Sequence, residues 1–264
     1  MPYGKPIQGD YTMKLAELVA VLDRHAPFST ALPFDNAGIL CGDPNREIRK
    51  VLLSLDITYS VIEEAEAQEV DLILTHHPAL FTAQKSFSPE DRVYRLIEKR
   101  IAAVAAHTNL DMAQGGVNDV FAKVAWLTDV EPWSGNDLSF VSRKGVLPAE
   151  MPLEEYAAKL KETLHANNLR YADGGRPVHK VALCSGSGGD MWESLVGTDI
   201  DTLLTGEAKY HHFLEAAQAG INLIEAGHFA TEVIVLPVLE QWLTEADPTL
   251  EIVYSSFDDP VRSV

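Results

Sequence analysis

Chemically active side chains follow three predicted strands at the point where each strand ends. His76 and His77 come directly after the apolar run DLILT, Asp111 ends the segment HTNLD that follows IAAVAA, and His228 follows INLIEAG. Ligands gather beyond the carboxyl ends of strands in open α/β sheets, so we expect these side chains to meet in one cleft. A mixture of imidazole and carboxylate groups suits Zn, Mn or Fe better than Ca or Mg. The sequence therefore predicts a site for such a metal.

The two adjacent histidines bear on the number of ions. Neighbouring side chains on an extended segment point in opposite directions, and Pro78 keeps His77 extended. A single ion would face only one histidine of the pair, whereas two ions on either side of the strand end would use both. The doublet His76-His77 is therefore typical of a site for two divalent ions.

A second pair of candidate ligands lies at the start of the last predicted helix. His228 and Glu232 are four residues apart, so one helical face presents both side chains to the same volume. A carboxylate at this position could bridge two cations, and Asp111 would supply oxygen to one of them. The doublet alone, or this pair alone, fits a structural role equally well. Their combination at strand ends favours a metal site.

Alternating strands and helices are predicted to hold these residues. An amphipathic helix at 13–26, capped by Thr12, precedes a βαβ unit made of VLLSLD, TYSVIEEAEAQEV and DLILT. The second half repeats the theme with HKVALC, DTLLT and INLIEA as strands, GDMWESLVGT as a helix and TEVIVLPVLEQWL as the last long helix. The predicted fold class is α/β, with two similar α/β halves whose mostly parallel or mixed sheets are flanked by helices.

Domain boundaries follow from this pattern. Residues 1–12 are expected to form an N-terminal tail, and 13–130 a first α/β domain that carries the histidine doublet and Asp111. Residues 131–264 are expected to form the second half. Its last helix, at about 228–243, would return to the metal site.

Composition limits the classes of function. The chain has 264 residues, 46% of them apolar, and a net charge of −18, so it can bury a core and is a poor candidate for nucleic-acid binding. No apolar run is long enough to cross a membrane, and the N-terminus lacks a secretory signal. Cys41 and Cys184 are expected to be buried thiols without a disulfide. These features predict a cytoplasmic protein.

Two further polar clusters leave alternatives open. The turn SGSGG at 185–189 could cradle a phosphate with its backbone amides, or it could be glycine-rich because a tight turn needs positive φ. His211 or His212 could reach the cleft or lie on a helix surface. The remaining histidines are expected at the surface, and they are His25, His165 and His179.

Six motifs in order resemble one known family from about Met13 to the C-terminus. They are DNAGILCG (35–42), THHPALF (75–81), HTNLD (107–111), GVND (116–119), TGEAKYH (205–211) and GHFATE (227–232). On these motifs the chain resembles the Nif-three-like family of dinuclear-metal proteins, the GTP cyclohydrolase I type 2 homologues. Some members carry an inserted central domain for which this chain has no room, so it resembles the short form. The leader before Met13 has no recognised counterpart.

The resemblance implies a ligand set and an assembly. It assigns His76 and Asp111 to one ion, His77 and His228 to the other, and Glu232 to both as a bridge. It also implies a two-domain subunit in a ring-shaped homohexamer, with the metal sites facing an internal cavity. A small molecule, such as a nucleotide, is the expected partner.

The activity implied by the resemblance is that of a GTP cyclohydrolase. Water activated by two divalent ions would attack C8 of the guanine ring, which would open with loss of formate. His107 is the candidate for proton transfer. The same ions could instead serve a phosphohydrolase or nucleotidase, or the protein could be a non-enzymatic metal-binding scaffold.

Overall fold

Strands and helices alternate along most of the chain, as the apolar runs predict. A computed structural model describes residues 12–133 and 141–263. The strands are β1 Met13–Lys14, β2 Gly38–Cys41, β3 Glu47–Ile48, β4 Lys50–Ser54, β5 Leu72–Thr75, β6 Ala102–Ala105, β7 Thr128–Pro132, β8 Arg143–Met151, β9 Arg170–Ala172, β10 Val178–Cys184, β11 Thr202–Thr205, β12 Asn222–Glu225 and β13 Glu251–Tyr254. The α-helices are α1 Leu15–His25, α2 Tyr59–Ala67, α3 Arg92–Glu98, α4 Thr108–Met112, α5 Val117–Val124, α6 Leu153–Thr163, α7 Tyr210–Gln218, α8 His228–Glu232 and α9 Leu236–Ala246. Short 3-10 helices lie at Phe28–Thr30, Gly189–Leu195 and Val233–Val235.

The first sheet has the strand order β13-β4-β5-β6-β2. Its first four strands are parallel, and β2 runs antiparallel to β6. Successive residues of a strand face opposite sides, so Val51 and Leu53 pack under α1 and α9, whereas Leu52 packs under α2 and α3. Helices on both faces explain why β5 and β6 are buried along their whole length.

The second sheet has the order β7-β8-β10-β11-β12-β9. Only β10, β11 and β12 are parallel; each of the outer strands is antiparallel to its neighbour. One face packs on α5 and α6, and the other on α7 and the 3-10 helix at Gly189–Leu195. The mixed sheets with helices on both faces confirm the predicted α/β fold class.

The three central parallel strands of each sheet are built in the same way. Asp71, just before β5, accepts hydrogen bonds from the backbone amides of Arg49 and Lys50 (2.9 and 3.2 Å). Asp201, just before β11, accepts one from the amide of Lys180 in β10 (2.7 Å). The two carboxylates tie the starts of equivalent strand pairs together. They therefore mark the two halves as similar.

The chain returns to the first sheet after it has completed the second. β13 adds to the edge of the first sheet by pairing with β4, and α9 packs against α1. β7 already belongs to the second sheet. Both ends of the described chain therefore help to fix the first sheet.

The first helix begins later than the sequence indicated. Met13 and Lys14 form β1, which pairs with β3, so α1 starts at Leu15 and the predicted Thr12 cap is wrong. The side chain of Glu17 accepts a hydrogen bond from the amide of Lys14 (2.8 Å) at the new helix start. Strand pairing with Ile48 thus overrides the helical periodicity of the first two residues.

The stretch predicted as one last helix is divided. Residues 228–243 form α8, the 3-10 turn Val233–Val235 and most of α9. Pro237 lies in the first turn of α9, where a missing backbone N–H costs least, and so favours a new helix start. Likewise, the segment predicted as a helix after SGSGG is the 3-10 helix at Gly189–Leu195.

The sequence also predicts two buried thiols without a disulfide and no membrane-spanning segment. Cys184 is buried and Cys41 is half-buried, and both are free. The thiol of Cys41 has a pKa raised by burial to about 11. Among the described residues, no helix is both long and apolar enough to cross a membrane.

Candidate metal centre

The carboxyl edge of the first sheet presents three histidines. His76 and His77 follow β5, and His107 follows β6. The amide of Ala106 donates to the carbonyl of Thr75 (2.9 Å), so the two strand ends stay together where the chain leaves the sheet. The ring centroids of His76 and His107 are 5.0 Å apart. The predicted doublet and the candidate proton carrier therefore share one site.

The second sheet delivers two more of the predicted residues through α8. His228 opens this helix and Glu232 closes it, after a turn at Gly227 with φ of 94°. The ring centroids of His77 and His228 are 5.2 Å apart. Glu232 is buried, whereas His228 is half-buried. Asp111, from α4, faces the same cluster.

Each imidazole of the cluster has Nδ1 within hydrogen-bond distance of an oxygen atom that can only accept. The pairs are His76 with the carbonyl of Ala106 (2.9 Å), His77 with Asp56 (2.9 Å), His107 with Asp35 (2.9 Å) and His228 with Glu207 (3.0 Å). Nδ1 therefore carries the hydrogen in the neutral ring, and Nε2 is left with a lone pair. Histidine ligands of metals are commonly oriented in this way.

The free nitrogen atoms converge on two carboxylates. Nε2 of His76 is 3.6 Å from Oδ1 of Asp111 and 3.8 Å from Oε1 of Glu232. The other oxygen of Glu232, Oε2, is 3.0 Å from Nε2 of His77 and 3.0 Å from Nε2 of His228. The two oxygens of Glu232 therefore face different imidazoles.

Several of these atoms lack a hydrogen bond of normal geometry. Nε2 of His76, Oδ1 of Asp111 and Oε2 of Glu232 are buried without such a partner among the described residues. Nε2 of His77 and Nε2 of His228 are only 3.3 Å apart. Buried polar atoms are rarely left unsatisfied, and in neutral rings the lone pairs of these two nitrogen atoms would repel. A cation between them would satisfy both conditions, so the donor set fits a divalent metal.

The pKa values of the histidines show how strongly the site attracts positive charge. Burial lowers the pKa of His77, but Asp56 and Glu232 outweigh it and raise the pKa to about 10. Burial also lowers the pKa of His228, yet Glu232 and Glu207 raise it to about 9. In the metal-free protein, protons provide the positive charge that a metal would otherwise supply, and a metal must displace them.

The pKa of Glu232 is shifted in the direction expected beside positively charged histidines. Burial raises the pKa of this carboxyl, but the imidazoles of His76, His228 and His77 hold it well below its ordinary value. Glu232 is therefore a carboxylate at neutral pH, although it is almost entirely buried. A buried carboxylate needs such positive partners.

Side-chain atoms that could bind a metal ion fall into two groups that share His77. One group holds His76, His77 and His107, and the other holds His77, His228 and Glu232; within each group the ligand atoms lie within 4.8 Å of one another. The described residues therefore offer two overlapping places where a metal ion could bind.

The sequence profile of a protein family matches almost the whole described chain. The family is described as Duf34/NIF3 (NGG1p interacting factor 3), and the match covers residues 13–260. The chain belongs to this family. The resemblance inferred from the six motifs is thereby confirmed.

Two relatives of this chain carry the same name. A Campylobacter jejuni protein called GTP cyclohydrolase 1 type 2 homolog is 36% identical over 226 residues, which cover 83% of this chain and 88% of that protein. A Clostridium perfringens protein of the same name is 32% identical over 254 residues, which cover 92% of this chain and 96% of that protein.

Solved structures share the fold over nearly the full length. The Staphylococcus aureus hypothetical protein SA1388 matches with a TM-score of 0.87 at 27% identity, covering 96% of this chain and 100% of that chain. Reduced HcgD from Methanocaldococcus jannaschii matches with a TM-score of 0.81 at 29% identity, covering 94% of this chain and 99% of that chain. The fold described above is thus shared with these two proteins over nearly their full length.

The loop after β10 makes room for Glu232. Gly186 has φ of +58°, and a Cβ atom at this position would lie 2.3 Å from Oε1 of Glu232 and 3.3 Å from Nε2 of His228. Any larger residue would therefore displace the carboxylate. This close approach explains one glycine of the SGSGG turn.

The same turn uses its amides within the protein. The amide of Ser185 donates to Asn118 (2.8 Å), that of Gly186 to Thr231 (3.2 Å) and that of Gly188 to Thr205 (3.0 Å). Donors already bonded to buried side chains do not form a phosphate cradle. These amides favour the alternative in which the turn is rich in glycine for conformational reasons and does not bind a phosphate.

A cleft of about 520 Å³ opens over the cluster. Its polar floor is formed by cluster residues, while Leu32, Phe34, Pro78 and Phe81 contribute apolar walls. Arg92 is the only lysine or arginine among the described lining residues. The cleft is large enough for a small organic ligand that reaches the histidines.

The other histidines lie outside the cluster. On α7, His211 is exposed and His212 is half-buried, and neither lines the cleft over the cluster, so the helix-surface alternative is favoured. His25 stacks on Trp242 at the surface, and His165 is exposed. His179, expected at the surface, is half-buried.

Three carboxylates that orient the histidines were missed by sequence reasoning. Asp56 ends the predicted strand VLLSLD, so its strand-end position was the available signal. Asp35 and Glu207 lie within two of the family motifs, but no spacing rule linked them to His107 and His228. Such contacts between distant segments become visible only in the folded chain.

Proposed function

We propose that the cluster binds two divalent metal ions, with Zn, Mn or Fe as the candidates. His76 and Asp111 would hold one ion, His77 and His228 the other, and Glu232 would bridge them. The observation that carries this proposal is the division of Glu232: Oε1 faces His76, whereas Oε2 lies 3.0 Å from both His77 and His228. One carboxylate placed between two sets of nitrogen donors is suited to two cations.

The reaction we propose is a hydrolysis of the GTP cyclohydrolase type. Support comes from the name shared by the curated relatives and from the cleft over the cluster. Divalent ions bound there would acidify water and polarise the group that it attacks. Water would add at C8 of the guanine base and the C8–N9 bond would break, which opens the imidazole ring and leaves a formamide on N7. A second water would hydrolyse the C8–N7 bond, so that C8 leaves as formate and N7 remains as an amine.

His107 is proposed to move a proton in this reaction. It lines the cleft, and Asp35 fixes its Nδ1, so Nε2 is the atom that exchanges the proton. Burial raises the pKa of Asp35, but hydrogen bonds from His107 and Thr108 hold it well below its ordinary value. Asp35 therefore stays ionised and orients the ring.

Three further properties belong to the same proposal. The substrate is a small molecule and not a nucleic acid, in keeping with the net charge of −18. The subunits form a toroidal homohexamer, which light scattering of the purified protein would test. The ring works in the cytoplasm, where free thiols such as those of Cys41 and Cys184 persist.

The decisive experiment combines metal analysis with product analysis. Protein purified without chelator or affinity metal is expected to hold close to two metal ions per chain and to release formate from GTP. Inorganic phosphate instead of formate would indicate a phosphohydrolase. A metal-loaded protein without either product would favour a binding or scaffold role, and a protein that takes up no metal would overturn the site itself.

The role of His107 has its own test. The variant His107→Ala is expected to keep both ions and to lose formate release by roughly 100-fold or more. The matched control is His211→Ala, which removes an exposed histidine outside the cluster and should change neither. Loss of an ion from His107→Ala would show that this residue is a ligand and not a proton carrier.

A further inference from the structure

Two large aromatic side chains lie exposed in the cleft over the histidine cluster. Phe34 is 64% exposed and Phe81 is 50% exposed, and both line the cleft of about 520 Å³. Leaving apolar surface of this size in water forgoes the stabilisation that burial would give. Grouped exposed apolar residues commonly mark a binding surface.

The segments that carry the two rings are fixed to each other. The side-chain amide of Asn36, two residues after Phe34, donates a hydrogen bond to the carbonyl of Leu80, the residue before Phe81 (2.6 Å). This bond spans 44 residues of sequence. The two phenylalanines are therefore held as a pair and do not belong to independent loops.

The same segments are fixed to the histidine cluster. Asp35, the neighbour of Phe34, bonds Nδ1 of His107 and the amide of Thr108 (2.9 and 3.0 Å). The ring of Phe81 meets the ring of His107 edge-on, with centroids 5.4 Å apart. His107 is thus contacted by the ring of Phe81 and by the neighbour of Phe34, and its own ring is 5.0 Å from that of His76.

The form of this surface indicates the class of ligand. It is concave and lies beside a polar cluster, which suits a small molecule with an apolar part and a polar part. Aromatic side chains offer flat π faces, and stacking on them is the common way to bind a flat heteroaromatic ring. An aliphatic substrate would gain little from two phenylalanines in place of leucines.

We propose that Phe34 and Phe81 form an aromatic clamp that binds the flat heteroaromatic ring of the substrate and presents it to the cluster. This inference rests on the proposed function, since it names the substrate class of the same site. The clamp determines specificity: a nucleotide-sized ligand with a ring binds more tightly than its counterpart without the ring.

The test compares two ligands that differ only by the ring. Binding of guanosine 5′-monophosphate and of ribose 5-phosphate is measured by calorimetry on the protein as purified, after its metal content is determined. We expect the nucleotide to bind at least about tenfold more tightly. Phe34→Leu and Phe81→Leu should each weaken nucleotide binding by about tenfold and leave ribose 5-phosphate unchanged.

Control variants separate the loss of an aromatic ring in the cleft from a general effect of the substitution on the fold. Phe87→Leu removes a phenylalanine that is 44% exposed but does not line the cleft, and should change nothing. Phe34→Trp keeps an aromatic face and should retain nucleotide binding. Equal binding of the two ligands to the unaltered protein, or equal weakening of both in Phe81→Leu, would overturn the clamp. Metal content decides the proposed function separately, because the ligand comparison does not depend on turnover.

Discussion

The two sets of parallel strands, β4-β5-β6 and β10-β11-β12, share one plan but end differently. The amide of Ala106 bonds the carbonyl of Thr75, and the amide of Ala226 bonds that of Thr205 in the same way (2.9 and 2.8 Å). The residues after these threonines are therefore equivalent, and they are His76 in the first sheet and Gly206 in the second.

The next strand ends repeat this contrast. By the same equivalence, His107 of the first sheet corresponds to Gly227 of the second. The first edge supplies imidazoles directly from its strand ends, whereas the second edge has glycines there and supplies its ligands from α8. A Cβ on Gly206 would lie 2.5 Å from the carbonyl oxygen of Gly186. The strand ends of the first sheet thus provide nitrogen donors, whereas Gly206 at the second sheet leaves room for the loop at Gly186.

The largest expected effect comes from Glu232, which faces the donors of both edges. Glu232→Ala should remove both metal ions, because each would lose an oxygen ligand, whereas Asp111→Ala should remove mainly one. Elemental analysis of the two variants beside the unaltered protein measures this. Equal metal content in both variants would contradict the bridging position and, with it, the idea that the two edges share one ligand.

A smaller effect is expected from filling the space at the second edge. Gly186→Ala should weaken metal binding by at least about tenfold, because its Cβ would push the carboxylate of Glu232 from its position. The carboxylate is the end of a flexible side chain, so the fold should survive. Metal affinity and thermal unfolding are measured together.

A matched glycine separates backbone strain from crowding. Gly197 also has positive φ (+81°), but a Cβ there would have nothing within 4 Å. Gly197→Ala should therefore cost about 1 kcal/mol of stability, as left-handed backbone does for alanine, and leave metal binding intact. If both variants bound metal equally well, the space around Glu232 would not matter.

Much of this candidate site could be predicted from the sequence because its residues lie near the ends of buried strands. His76, His77, Asp111, His228 and Glu232 were each located by a strand end or a helical spacing, and the structure brings all five together. Those rules are local: they depend on a few neighbouring residues and on the common edge of a parallel sheet.

The remainder depends on contacts between distant segments. Asp35 bonds His107, which lies 72 residues later in the chain, and Glu207 bonds His228, which lies 21 residues later. The strands β8 and β9 were not predicted because these antiparallel strands are partly exposed and lack a continuous apolar run. Sequence patterns identify apolar segments that are buried, but they do not say which carboxylate will face which histidine.

The third prediction tests whether histidines from the two edges titrate together. The pKa of His77 is raised to about 10 and that of His228 to about 9, above the ordinary value of about 6.5. A raised folded-state pKa stabilises the fold at pH below about 6.5, and this contribution is lost as pH rises through 9 to 10. Metal-free protein should therefore lose roughly 1–3 kcal/mol between pH 6.5 and 9, allowing for solvent screening.

Urea unfolding at several pH values, with chelator or with added Zn²⁺, measures this loss. Zinc-loaded protein should show a smaller loss, because the metal replaces the protons that are removed. His211→Gln serves as the control and should leave both curves unchanged. An equal dependence on pH with and without zinc would mean that the metal does not displace these protons.

The last comparison concerns the carboxylate that each edge supplies to a histidine. Asp56 bonds His77 at the first edge, and Glu207 bonds His228 at the second (2.9 and 3.0 Å). The side chain of Asp56 is 34% exposed and that of Glu207 is 57% exposed, so water replaces Glu207 more readily. Asp56→Ala should weaken zinc binding by about 10- to 100-fold, and Glu207→Ala by less than about tenfold. Competition with a chromogenic chelator measures both affinities, and a larger loss in Glu207→Ala would mean that the second edge orients its ligand at least as firmly as the first.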